Sequence, residues 1–207
     1  MNSATTSRPR LDTKYRTVDL VTIATLGVAF GVIFWGWGKL YEPISGIAVF
    51  SYPPSTALLA GLWLTAGVVG GLIVRKPGAA FATEFIAAAV STVIVGGTQW
   101  GFSVFASGFF QGLGAELIFL LVFYRRFGWL VAAAAGALAA AFESVYEWFS
   151  YYADWGFEYK LAHLGFFVVS GIVVAGFGSK LLVDALARAG VLDTFGAGRE
   201  HAHAHEH

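Results

Sequence analysis

Four carboxylates stand in stretches too apolar to solvate them: Glu84, Glu116, Glu143 and Glu147. A charge buried in hydrocarbon is costly unless it meets a cation, a proton or hydrogen-bond donors, so such residues mark candidate sites. Glu116 follows Gly108 and Gly112 at four-residue steps. As a helix, that spacing sets the carboxylate on a stripe of small residues where another backbone approaches closely. Glu143 and Glu147 lie one helical turn apart, below the small face of Ala132, Gly136 and Ala140. Like charges at that spacing repel, and a bound cation, a proton or water would relieve them. Glu84, Ser91 and Thr98 fall two turns apart on one polar line.

Amides and aromatic rings accompany these acids. Gln99 and Trp100 adjoin one end of the Glu116 stretch, and Gln111 lies inside it. Trp35 and Trp37 close the first apolar run, and Trp148 and His163 stand near the last two. Carboxylates, amides and indole faces together suit a small, flat, polar or cationic ligand. Each has a plainer role too. A tryptophan anchors at a membrane interface, a glutamine bonds between helices, an acid near a helix start stabilises its dipole, and a helix-end histidine is simply polar.

The elements that position these residues are membrane helices. The chain has 207 residues, 57% hydrophobic and 13% charged, far fewer charges than the roughly 25% of soluble domains. Gly101 to Phe123 carries one charge and as a helix is roughly 34 Å long, enough to cross a bilayer. Similar runs predict spans at Val18 to Gly38, Thr56 to Val74, Ala79 to Val95, Phe127 to Phe149 and Leu161 to Leu186. The expected fold is therefore an all-α integral membrane bundle of six transmembrane helices over 18–187. A flexible lead (1–17) and a flexible His-rich tail (188–207) flank it. The basic residues place both termini in the cytoplasm: only Lys39 and Lys160 fall in the predicted outer segments. That orientation puts most of the polar and aromatic residues in the outer half. No cysteine is present, which excludes disulfides, thiolate metal sites and cysteine nucleophiles. Zero net charge gives nucleic-acid binding no electrostatic support.

The six-span layout resembles the substrate-binding S component of energy-coupling-factor (ECF) vitamin transporters. GLW at 61–63, RKPGAAFATE at 75–84, QWG at 99–101 and QGLGAELIF at 111–119 look like the YkoE-type S component, linked to thiamine or its hydroxymethylpyrimidine precursor. The resemblance implies a plasma-membrane receptor with an outward pocket and a lid from the first outer loop, 39–54. It also implies a membrane coupling subunit and two cytoplasmic ATPases as partners. Glu84, Gln99, Trp100, Gln111 and Glu116 sit in the matching motifs and take the binding role. Glu143, Glu147, Trp35 and Trp37 join them on physical grounds. Family members often carry an alanine at every fourth residue of span one as a docking face; Ala24, Gly27 and Gly31 are the nearest equivalent here.

Two other functions compete. A stand-alone proton- or ion-coupled carrier would use the buried acids as relays, but no inverted repeat with paired broken helices is evident. An intramembrane enzyme would use them as acid and base, but GxSxG and HExxH are absent. GxxxxGK[ST] is absent too, so no ATPase is built in, and no cofactor is called for. His201, His203, His205 and His207 alternate with Ala and Glu, a spacing that suits a metal-chelating or merely solubilising tail.

Overall fold

The computed structural model describes residues 13–204, all of whose regular structure is helical. In chain order the helices are α1 (Thr17–Ser45), α2 (Pro53–Val74), α3 (Ala79–Val93), α4 (Ser103–Leu121), α5 (Trp129–Ser150), α6 (Phe157–Arg188) and α7 (Gly196–Ala204). Five of them, α1, α2, α4, α5 and α6, are long and apolar enough to cross a membrane. The third expected span is the exception. At 15 residues α3 is roughly 22 Å long, less than a hydrocarbon core.

Helix α2 is the centre of the bundle. Of its most apolar stretch 78% is buried, against 33% or 39% in the other long helices, and every residue from Thr65 to Val74 is buried. Around it α1 packs on α3, α3 on α4, α4 on α5, and α5 on α6. The exposed sides of the outer helices are apolar, with Val28 and Val32 on α1, Leu120 on α4, Leu130 on α5 and Val173 on α6, as contact with lipid requires.

Small residues set the closest approach. A Cβ on Gly27 would lie 2.5 Å from Ile86, and one on Gly31 2.5 Å from Val90, so α1 and α3 can seat together only with glycine there. This corrects the docking face expected from the sequence. Gly27 and Gly31 are buried against α3 of the same chain; of the three residues only Ala24 is exposed.

Helix α2 opens as 3-10 helix from Pro53 to Leu64, much longer than such turns usually run. Distant side chains take up the backbone groups of this segment. Ser170 Oγ accepts from Gly61 N–H at 3.0 Å and donates to Leu58 O at 2.6 Å, and Trp37 Nε1 donates to Leu59 O at 2.9 Å. Helix α6 in turn loosens into a π-helix over Gly171–Gly178, where it meets α5.

Two further expectations change. Helix α1 runs through Pro43 to Ser45, so the first outer loop shortens to 46–52 with one 3-10 turn, Ala48–Phe50. The described part of the tail is packed: Leu192, Phe195 and Ala197 are buried, and Arg75 pairs with Glu200 through both guanidinium nitrogens at 2.7 and 2.8 Å. Arg16 Nη1 also donates to Thr194 O at 3.2 Å, which places the start of α1 and the start of α7 at the same end of the bundle. The lead over residues 1–12 and the side chains of the alternating histidines lie outside what the structure describes.

Candidate functional site

At the opposite end, six helices and the 94–102 turn converge on a cavity of about 540 Å3, counting its open mouth. That is within the range of small-molecule pockets. Helical spacing accounts for most of its wall. Glu143, Glu147 and Tyr151 follow one another at four-residue steps along α5 and just beyond its end. Val104, Ser107 and Gln111 come from one face of α4, and Ala88 and Ser91 from one face of α3. Trp63 and Ala60 enter from the 3-10 segment, Phe34 from α1, Phe167 from α6, and Thr98 and Trp100 from the turn.

The polar side is acidic. Glu143 is 2% exposed, and the Ser107 and Gln111 side chains face its carboxyl. Its Oε2 has no hydrogen-bond partner among the described residues. One turn nearer the mouth, Glu147 Oε2 lies 3.2 Å from His163 Nε2. His163 Nδ1 is 2.9 Å from Ser144 Oγ, so buried Ser144 and His163 stand behind Glu147 at the cavity wall. Tyr152 and Trp155, stacked at 3.9 Å, cover the imidazole from outside. Tyr151 shares a 2.6 Å hydrogen bond with Ser103 Oγ. Burial pushes its phenol up to about 12, so it stays a neutral hydrogen-bonding group.

The facing side is aromatic. Trp63 and Trp100 meet edge to face with centroids 5.1 Å apart, and Tyr41 lies 5.4 Å from each. Trp63 is held by its Nε1 donating to Phe34 O at 3.1 Å. Indole faces opposite two carboxyls can take a flat, electron-poor or cationic ring, and the Gln111 amide can both donate to it and accept from it.

Four of the residues expected from the sequence therefore meet here: Trp100, Gln111, Glu143 and Glu147. The other five do not line the cavity. Glu116 sits at the far end of the bundle, where it accepts from Gly78 N at 2.6 Å, Phe81 N at 3.1 Å and Tyr124 Oη. It caps the start of α3, whose first N–H groups lack partners within the helix. Burial and that carboxylate push the Tyr124 phenol well above its usual range, so it remains a donor. Glu84 plays a similar part inside the bundle: its Oε2 accepts from Gly67 N at 2.6 Å, just where α2 passes from 3-10 to α winding. Gln99 points outward, Trp35 approaches Lys39 at 5.8 Å, and Trp37 bonds Leu59 O. Trp63, Phe34, Ser107 and Tyr151 were not expected. A signal existed for three of them: Ser107 is one turn before Gln111, Tyr151 one turn after Glu147, and Phe34 continues the inward face of Gly27 and Gly31.

Comparison with known proteins fits this geometry. A family model described as "ABC-type cobalt transport system, permease component" matches residues 18–142. A solved chain titled "Crystal structure of an S-component of ECF transporter" superposes with a TM-score of 0.85 and 28% identity, covering 93% of this chain and 96% of that one. Fold and cavity are thus those of a multi-pass membrane subunit of a transporter, not of an enzyme. A relative from Bacillus subtilis (strain 168), named "Putative HMP/thiamine permease protein YkoE", is 30% identical over 188 residues, 90% of this chain and 92% of the relative. The chain belongs to the YkoE-like family of S components of ECF transporters.

Proposed function

We propose that this chain captures thiamine or its hydroxymethylpyrimidine precursor at the outer face of the plasma membrane for import. The observation that carries the reading is the cavity that sets Glu143, Glu147 and Gln111 opposite Trp63 and Trp100. An aminopyrimidine offers amino hydrogens to a carboxyl and ring nitrogens to an amide N–H. A thiazolium adds a fixed positive charge that two nearby carboxyls stabilise. The relative's name points to the same ligands. A divalent metal, as the family model's description would suggest, has less support: among the described residues no group of three or more His, Cys, Asp or Glu side chains could hold such an ion.

In this reading α3 is the sixth span. It is the short one, and α1, α2 and α4 pack against it. The end bearing Arg16, Arg75, Lys76 and Arg199 faces the cytoplasm by the positive-inside rule, and the cavity faces outward. The 94–102 turn borders the cavity through Thr98 and Trp100. An ECF coupling subunit in the membrane and two cytoplasmic ATPases complete the importer, since this chain has no nucleotide-binding motif of its own.

A thermal-shift screen of the purified protein tests the assignment, because a ligand that binds only the folded form raises the unfolding temperature with concentration. Thiamine or hydroxymethylpyrimidine is expected to do so, and cobalt(II) is not. A shift with cobalt(II) and with neither organic ligand overturns it.

A further inference from the structure

A second cavity, of about 730 Å3 with its open mouth, lies at the end of the bundle away from Glu143 and Glu147. Lys14, Arg16, Arg75, Lys76 and Arg199 line it, and among the described residues no acidic one does. The carboxylates that meet these cations, Asp19 and Glu200, do not themselves line the cavity. Asp19, fully buried, takes Arg16 and Lys76, each at 2.7 Å, and Glu200 takes Arg75. Among the described residues, Asp19 and Glu200 thus meet three of the five cations, Arg16, Lys76 and Arg75.

Two of the guanidinium groups converge further. Arg16 Nη1 and Arg199 Nη1 donate to the same carbonyl, Thr194 O, at 3.2 and 3.1 Å. Two positive groups on one neutral acceptor repel each other, at an energy that grows as the surroundings become less polar. An anion beside them removes that repulsion, and paired guanidinium groups match the oxygen spacing of a phosphate.

The position of the cavity narrows the source. Val18, Leu20 and Val21, all exposed and apolar, begin the lipid-facing side of α1 just after Arg16. Val74, the last residue of α2, and buried Phe195 form the apolar part of the wall. The basic groups therefore lie where hydrocarbon gives way to headgroups, and basic pockets between helices at that level hold anionic headgroups. We propose that this cavity binds a phosphate group, presented by an anionic phospholipid or by a soluble phosphate compound, and that it couples the packed C-terminal segment to the membrane. The site is separate from the ligand cavity and does not depend on the identity of that ligand.

The test is native mass spectrometry of the full chain released from nanodiscs of phosphatidylglycerol mixed with phosphatidylcholine. A parallel arm follows thermal unfolding with inorganic phosphate in pure phosphatidylcholine discs. Wild type is compared with Lys14→Gln/Arg199→Gln and with Arg126→Gln/Arg188→Gln, which removes two exposed charges outside the cavity. Retention of phosphatidylglycerol that falls about 25-fold in the first variant, at about fivefold per cation, and not in the second supports a lipid headgroup. No lipid preference, but stabilisation by phosphate that only the first variant loses, supports a soluble phosphate compound. Equal losses in both variants, or no effect of either anion on wild type, overturn the proposal. Should the double variant fail to fold, exposed Arg199→Gln alone, expected to lose about fivefold, decides between the same outcomes.

Discussion

Glu147 Oε2 and His163 Nε2 lie 3.2 Å apart, and the same imidazole meets Ser144 through its other nitrogen. One residue of α6 thereby orients a carboxyl of α5 at the wall of the ligand cavity. His163 is 1% exposed, so replacing it strands the buried Ser144 hydroxyl and takes the imidazole from Glu147. His163→Ala should destabilise the protein by about 1–3 kcal/mol, read as a lower unfolding temperature in detergent. An unchanged unfolding temperature would show that the contact carries no load.

The aromatic side has its own signature. Trp63 and Trp100 present their rings to the cavity, so a bound flat ligand should quench their fluorescence. Trp63→Ala or Trp100→Ala should weaken binding about 3- to 30-fold, from a cation–π contribution of about 0.5–2 kcal/mol. Trp35→Ala, which alters a ring outside the lining, should leave the affinity within about twofold. The opposite ranking would move the ligand to the α1 rim.

Glu116 should behave as a structural residue. Glu116→Ala removes the acceptor for Gly78 N–H, Phe81 N–H and the Tyr124 hydroxyl. The expected cost is about 1–2 kcal/mol of stability with ligand affinity unchanged. Affinity measured at matched folded fraction checks this; a tenfold loss would return Glu116 to the binding site.

The α1–α3 contact leaves no room for side chains at Gly27 and Gly31. Gly31→Val should destabilise by about 1–3 kcal/mol through overpacking, or force the helices apart. Ala24→Val, on the exposed side of α1, should leave the unfolding temperature nearly as it is. Comparable behaviour of the two variants would mean that Gly31 does not sit in this contact.

What the sequence revealed, and what it hid, follows from the range of the forces involved. Glu143, Glu147 and Gln111 were legible because polar groups in apolar helices fall on one face, and helical period is a local property. Glu84 and Glu116 shared that signal but not the site. A buried carboxylate needs donors, and sequence does not say whether a ligand or the start of another helix supplies them. The 3-10 winding of Pro53–Leu64 depends on Ser170 and Trp37, far away in the chain, and so left no local trace. The docked tail was masked by its composition: glycines and histidines suggested flexibility, while Leu192 and Phe195 are the residues that anchor it. The small residues Gly27 and Gly31 were expected to meet a partner subunit, but they pack against α3 of the same chain, and helical spacing alone does not say which neighbour a small face meets.

On the function proposed above, the α5 carboxyls hold the ligand. Calorimetric titration of wild type and Glu143→Gln with thiamine and with hydroxymethylpyrimidine decides this. Loss of a charge-assisted hydrogen bond of about 1.5–3 kcal/mol should weaken binding about 10- to 100-fold, with folding intact because glutamine keeps the shape. Undiminished affinity of Glu143→Gln for a ligand that wild type binds would mean that the α5 carboxyls do not hold it.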